Sequence, residues 1–183
     1  MTIVGIDPGL TGAVGMLCRD RTIKAMMMPL NAKQVDIGKL NEIIRAEIWI
    51  QDEQGGGSVR DEMLVVIEEP SPFPTKLTGK DGKQVYGGAV TNFKMGERLG
   101  ELRALCLLNK WPFILVKPMS WKAKVLHGTD WRGDSKAQAI RYMQSLHPEF
   151  EMPSAKYKME AMADALCIAE YGRQFHLAQT EVF

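Results

Sequence analysis

The opening of the chain places one acid at the turn of an apolar hairpin. An apolar run at 3–6 leads into Asp7-Pro8-Gly9, and a second apolar run covers 13–17. Short apolar runs on both sides of a Pro-Gly turn predict two antiparallel strands. Burying a lone carboxylate is costly, so folding alone explains this acid poorly. A carboxylate fixed at a rigid strand end is well placed to hold a metal ion or a phosphate-bound cation.

The pattern of the whole chain predicts an α/β fold with a five-stranded mixed sheet flanked by helices. Three strands at 2–7, 12–18 and 21–28 form an antiparallel meander, and strands at 63–67 and 112–116 add two parallel strands. Helices are expected at 33–52, 91–109, 119–126, 135–146 and 154–175. The segment 70–90 shows neither a helical nor a strand period of apolar residues, which predicts a long functional or mobile loop.

Length and composition favour an ordinary globular protein. The 183 residues fit a single domain over 1–183, with a core over about 2–172 and a tail at 173–183. The three cysteines stand in apolar stretches, which favours buried thiols of an intracellular protein. No charged leader and no apolar run of membrane-spanning length is found, so we expect a cytoplasmic protein without a membrane partner.

The positive charge is concentrated in one stretch of the chain. Between Lys94 and Arg141 there are ten Lys or Arg residues and four acids, a net charge of +6 in a chain whose total is +1. This asymmetry suits a polyanionic substrate, although helices of mixed charge explain it equally well. Lys117, Lys122 and Lys124 follow the fifth strand and are candidate phosphate contacts. Lys136 and Arg141 fit a solvated helix face better.

Further acids stand where they could converge on Asp7. Glu68 ends the 63–67 strand, and the two carboxylates lie side by side if the strands are neighbours. Glu160 and Asp164 are four residues apart and therefore share a helix face, in unusually apolar surroundings. Hard oxygen ligands of this kind favour Mg²⁺ or Mn²⁺, and no histidine or cysteine spacing supports zinc. Two such ions about 4 Å apart suit in-line hydrolysis of a phosphodiester.

Five motifs, taken in order, resemble those of RuvC-like Holliday junction resolvases. The opening Ile3-Val4-Gly5-Ile6-Asp7-Pro8-Gly9 with Thr11-Gly12, and Val66-Ile67-Glu68, resemble the first two acidic strands. The middle helix, basic segment and final helix are matched by Lys94-Met95-Gly96, Gly100, Val116-Lys117-Pro118, Lys122 and Ala163-Asp164-Ala165-Leu166. The resemblance covers nearly the whole chain, from about 3 to 172.

This resemblance implies an RNase H-like fold and a homodimer that nicks two strands of a four-way DNA junction. It makes Asp7, Glu68 and Asp164 ligands of two Mg²⁺ or Mn²⁺ ions per active site. Bacterial members carry a further acid three residues before the last aspartate, where this chain has Ala161. Glu160, one residue earlier, matches some phage, viral and fungal members and is the expected fourth ligand. A phage-type enzyme, acting in a bacterial or phage-infected cell, is the matching expectation.

Two further features have two interpretations each. Phe73 and Tyr86 lie on the long loop and either stack on an unpaired base at the crossover or pack the loop onto the body. Gly96 and Gly100, one helical turn apart with Leu99 between them, either form a dimer helix or let this helix lie close to its own sheet.

Other functions share parts of this pattern. Sugar kinases and actin-like ATPases use a similar first hairpin for Mg²⁺-ATP, but they need a duplicated domain that this chain lacks. A non-catalytic binder of branched DNA has no need of four converging acids. An RNase H-like nuclease acting on flaps or RNA/DNA hybrids shares the metal chemistry and remains the alternative for the substrate.

Overall fold

The computed structural model describes residues 1–52, 63–70, 76–78, 84–86, 89–127 and 134–180. The strands are β1 Thr2–Ile6, β2 Ala13–Leu17, β3 Ile23–Met27, β4 Leu30–Asn31, β5 Gln34–Val35, β6 Met63–Glu68, β7 Lys76–Thr78, β8 Gln84–Tyr86 and β9 Phe113–Val116. The helices are α1 Ile37–Asp52, α2 Ala89–Asn109, α3 Pro118–Val125, α4 Ser135–Leu146 and α5 Lys156–Thr180. No helix among these residues is long and apolar enough to cross a membrane.

A five-stranded mixed sheet organises the molecule, as the sequence predicts. Its strand order is β3-β2-β1-β6-β9, with β1 to β3 antiparallel and β6 parallel to both β1 and β9. In the pairing of β1 with β6, Ile6 stands opposite Ile67. The residues that follow, Asp7 and Glu68, therefore leave the sheet at the same end and side by side.

Two predicted boundaries were wrong. The first helix begins at Ile37 and not at 33, because the small β4–β5 hairpin precedes it and Asp36 caps it. The Asp36 Oδ1 atom accepts a hydrogen bond from the Lys39 amide at 2.8 Å, as an N-cap residue does. Strands β7 and β8, in the segment predicted as a plain loop, pair antiparallel. Three-residue strands are too short to show an alternating period.

Helices cover both faces of the sheet. On one face, α1 and α2 contribute Leu40, Ile44 and Leu102 to a core shared with β1, β2 and β6. On the other face, α3, α4 and α5 pack against the same strands through residues such as Trp121 and Leu166. The three cysteines are buried and form no disulfide, as predicted.

Glycines bring α5 into direct contact with the sheet backbone. Gly5 of β1 stands opposite Gly15 of β2. A Cβ atom on Gly5 would lie 2.2 Å from the Ala165 carbonyl oxygen, and one on Gly15 would lie 2.7 Å from the Leu166 amide nitrogen. Only glycine permits so close an approach of two backbones. This contact fixes the part of α5 that carries Asp164 over the end of β1.

Candidate metal centre and its basic surroundings

Asp7 is held by the hairpin turn that follows β1. Its amide donates to the Ala13 carbonyl at 3.0 Å, and its Oδ1 atom accepts from the Gly9 amide at 3.0 Å. Gly12 leaves no room for a side chain, since a Cβ atom there would lie 2.9 Å from the Asp7 Cγ atom. Burial raises the pKa of Asp7, and the Gly9 bond and two nearby lysines only partly oppose this.

Glu68, the last residue of β6, is oriented by a buried indole. Its Oε2 atom accepts a hydrogen bond from the Trp121 Nε1 atom at 2.6 Å, and Trp121 is 0% exposed. Burial is the main cause that raises the pKa of Glu68 to about 7; the Trp121 bond and Lys122 lower this pKa, while the charges of Asp7 and Asp164 raise it. The bond occupies one carboxylate oxygen and fixes the direction of the other.

Asp164 carries a buried oxygen without a partner. Its Oδ1 atom has no hydrogen bond among the described residues, although buried polar atoms nearly always have one. Burial is the main cause that raises its pKa to about 6, while Lys136 and Lys122 lower it and Asp7 and Glu160 raise it. An unsatisfied carboxylate oxygen in such a place is a free ligand for a cation.

The three carboxylates lie close enough to influence one another electrostatically. Asp7 and Asp164 both raise the pKa of Glu68, and Asp7 raises that of Asp164. Their donor chemistry, oxygen only, fits a hard divalent cation such as Mg²⁺ or Mn²⁺. Within the described ranges, no three His, Cys, Asp or Glu side chains already converge on one ion position. Holding an ion there therefore requires these carboxylates to turn toward each other.

Glu160 lies beside this trio but is engaged by lysines. Its carboxylate pairs with the Nζ atoms of Lys136 at 3.3 Å and Lys156 at 3.8 Å, and its charge raises the pKa of Asp164. The position three residues before Asp164 faces the sheet, since Ala161 is 4% exposed and packs with Ala13. An acid there would be buried in an alanine cluster, so position 160 is the one with access to the site.

The basic surroundings of the site include Lys136, which is exposed as the sequence predicts and also acts on the acids. Lys122, a predicted contact, lies 5.2 Å from the centroid of the Trp121 ring and 3.4 Å from the Ser135 Oγ atom. Lys136, assigned from sequence to a solvated face, lowers the pKa of both Asp7 and Asp164 together with Lys122. Lys117 and Lys124 are exposed at the two ends of α3.

Trp121 is a functional residue that the sequence analysis does not identify. Its side chain is buried, and its N–H group donates a hydrogen bond to Glu68. A buried indole N–H usually has an acceptor, which is the signal that the sequence offered. The identity of that acceptor, 53 residues earlier in the chain, depends on the fold.

The remaining predicted residues fall into two groups. Phe73 lies outside the described residues, and so does the side chain of Tyr86, whose backbone belongs to β8. Among the described residues, a Cβ atom on Gly96 or Gly100 would meet nothing within 4 Å, so these glycines do not serve close packing on the sheet. Leu99 packs partly against the core on the α1 and α2 face.

Solved structures of RuvC share this architecture. The structure of Thermus thermophilus RuvC in complex with Holliday junction substrate matches with a TM-score of 0.50 and 16% identity, covering 95% of this chain and 96% of that one. A second Thermus thermophilus RuvC structure matches with a TM-score of 0.51 and 18% identity, covering 96% and 97%. The chain has the RNase H-like fold of RuvC. No protein-family model matches the chain, and no curated protein matches it significantly by sequence.

Proposed function

We propose that this protein is a divalent-metal-dependent endonuclease that resolves four-way DNA junctions. The observation that carries the proposal is the adjacency of Asp7 and Glu68 at one sheet end, near an Asp164 whose unpartnered oxygen is buried and whose charge acts on Glu68. The shared fold of a RuvC structure that holds a Holliday junction supports this substrate. The basic residues beside the acids support a polyanionic substrate as well.

Each residue has a defined part in this proposal. Asp7, Glu68 and Asp164 hold two Mg²⁺ or Mn²⁺ ions, and Glu160 becomes the fourth ligand when it leaves its lysine partners. When bound, these ions supply the Lewis-acid chemistry for in-line hydrolysis of a phosphodiester. Trp121 fixes one oxygen of Glu68 so that the other faces the site.

The lysines next to the acids have a complementary part. Lys122 and Lys136 already act electrostatically on Asp7 and Asp164, so a phosphate near these acids also comes near both cations. They offset the repulsion between the acids and the DNA backbone. Lys117 and Lys124, exposed on the same helix as Lys122, extend this contact along the strand.

Two active sites suit a substrate with two equivalent strands. We therefore propose that the enzyme acts as a homodimer and makes paired, symmetric nicks. The open face of α2 around Gly96 and Gly100 is available for this contact. The single nuclease domain is proposed to comprise 1–183.

The decisive experiment compares wild type with Asp7→Asn on four DNA or hybrid substrates. Purified protein with Mg²⁺ or Mn²⁺ receives a mobile four-way junction, a flap, a plain duplex and an RNA/DNA hybrid. We expect paired nicks on the junction with wild type, and a loss of cleavage of at least about 1000-fold with Asp7→Asn at unchanged junction affinity. Cleavage of the hybrid or flap equal to that of the junction would reject the proposed substrate, and an active Asp7→Asn would reject the mechanism.

A further inference from the structure

A cavity separates the two acidic strand ends from the first half of α2. Its volume is about 530 Å³, and Asp7, Glu68 and the turn residues Pro8 and Gly9 line one side. Val90, Thr91, Lys94, Met95 and Arg98 of α2 line the other side. The candidate metal centre therefore opens onto a space with cations on its far wall.

The cations on that wall share one helix face. The lining residues of α2 recur at one-turn spacing, and Lys94 and Arg98 are four residues apart. Arg98 is half-buried and Lys94 is exposed, and both line the cavity opposite the two acids.

These cations do not neutralise the acids. Among the charges of the described residues, Lys122 and Lys136 lower the pKa of Asp7, and Lys122 lowers that of Glu68, but Lys94 and Arg98 contribute to neither. Neither Lys94 nor Arg98 has an ion pair or side-chain hydrogen bond within the described part of the chain. Their charges are therefore available to an anion that enters the cavity.

We infer that Lys94 and Arg98 form a second phosphate-binding wall, which holds a phosphate of the cut DNA strand beside the one that is hydrolysed. The inference rests on the proposed function and extends it to α2. The acids then lie between two basic walls, the lysines of α3 and α4 on one side and the α2 pair on the other. Arg98 suits a phosphate best, because its planar guanidinium can donate two parallel hydrogen bonds.

The two residues differ in what their loss should change. The half-buried Arg98 has less freedom than an exposed side chain and would position the DNA strand relative to the acids, so its removal should slow cleavage even when all substrate is bound. The exposed Lys94 acts mainly as a point charge, so its removal should weaken binding with a smaller effect on the rate of cleavage.

The test measures binding and cutting separately in four variants. Junction affinity is measured without divalent ions over a range of salt concentrations, and single-turnover cleavage is measured with Mn²⁺ at saturating protein. For Arg98→Ala we expect a cleavage rate lower by about 10-fold or more and a salt slope smaller by about one. Arg98→Lys should restore the slope but only part of the rate. For Lys94→Ala we expect the smaller slope with a rate within about threefold of wild type.

Arg45→Ala is the matched control, because Arg45 is exposed on α1 and does not line the cavity. It should leave slope and rate unchanged. An Arg98→Ala protein that behaves like Arg45→Ala overturns the inference. If wild type binds DNA but does not cut the junction, the proposed function fails. The salt slopes of the variants still show whether Lys94 and Arg98 bind phosphate. A wild type that binds no DNA at all overturns both.

Discussion

Two pairs of glycines, Gly5 with Gly15 and Gly96 with Gly100, lie in opposite surroundings. The first pair is covered by the backbone of α5, with contacts at 2.2 and 2.7 Å from the positions of added Cβ atoms. Around the second pair, no atom of the described part of the chain lies within 4 Å of the positions of added Cβ atoms. The same residue type therefore marks a closed face of the molecule at β1 and β2 and an open face at α2, and only the closed face builds the acidic site.

The open face also carries exposed apolar side chains. Along α2, Val90, Phe93, Leu107 and Leu108 are 69%, 73%, 65% and 84% exposed. By contrast, the α5 residues that cover the glycines, Ala165 and Ala169, are fully buried. The closed face is therefore formed by folding of the single chain, whereas the open face is the one that the proposed dimer would cover, and the predictions below test that division.

The largest effect is expected on the closed face. Gly5→Ala places a methyl group against the Ala165 carbonyl and the Ala169 amide, which belong to a helix backbone that cannot yield without moving Asp164. We expect the free energy of unfolding to fall by about 3 kcal/mol, with a parallel loss of cleavage. Denaturant unfolding measures the first. An unchanged midpoint would show that α5 is not seated on these glycines.

A smaller loss of stability is expected from a variant that keeps the packing of the closed face and removes one hydrogen bond. Trp121→Phe removes the donor to the Glu68 Oε2 atom and should cost about 1–3 kcal/mol of stability. It should also raise the Mn²⁺ concentration needed for half-maximal cleavage, because Glu68 is no longer oriented. Trp111→Phe is the control, since Trp111 is buried away from the acids. Equal effects of the two variants would assign Trp121 to packing alone.

The pH dependence of stability tests whether burial beneath α5 raises the pKa of the carboxylates. The folded pKa of Glu68, about 7, lies above its ordinary 4.5, so the folded protein holds this proton more tightly. Its contribution to metal-free stability is full below pH 4.5 and is lost as the pH rises through 7. Glu68→Gln does not titrate.

We therefore expect the melting temperature of Glu68→Gln to increase relative to that of wild type as the pH rises from 4.5 to 8. Added Mn²⁺ at pH 8 should stabilise wild type more than the variant. A constant difference across this range would mean that Glu68 is not buried as described.

The smallest effect belongs to the open face. Gly100→Ala adds a methyl group that meets nothing within 4 Å, so the gain in helix propensity should stabilise the monomer by up to about 1 kcal/mol. If α2 is the dimer helix, the same methyl should weaken association, which sedimentation measures. A destabilised monomer at high dilution would contradict the open environment of this glycine.

Much of the fold follows from local patterns. The alternation of apolar runs and turns predicted the five sheet strands and the order of helices, since each pattern belongs to one element. Boundaries failed where short-range chemistry competed, as at Asp36, whose side chain starts α1 later than the apolar period suggests. Of the two interpretations of Gly96 and Gly100, close packing of the helix on its own sheet is wrong among the described residues, and the structure shows such an approach at Gly5 and Gly15 instead, while the dimer helix stays a prediction.

The sequence alone determined which acids stand at strand ends and on the last helix, because strand and helix periods fix such positions locally. Only the tertiary structure decided which other side chains lie next to these acids. The Trp121 donor, the approach of Lys136 and the α2 cations across the cavity depend on contacts between residues far apart in the chain. Such contacts arise from the packing of whole elements, which no local period encodes.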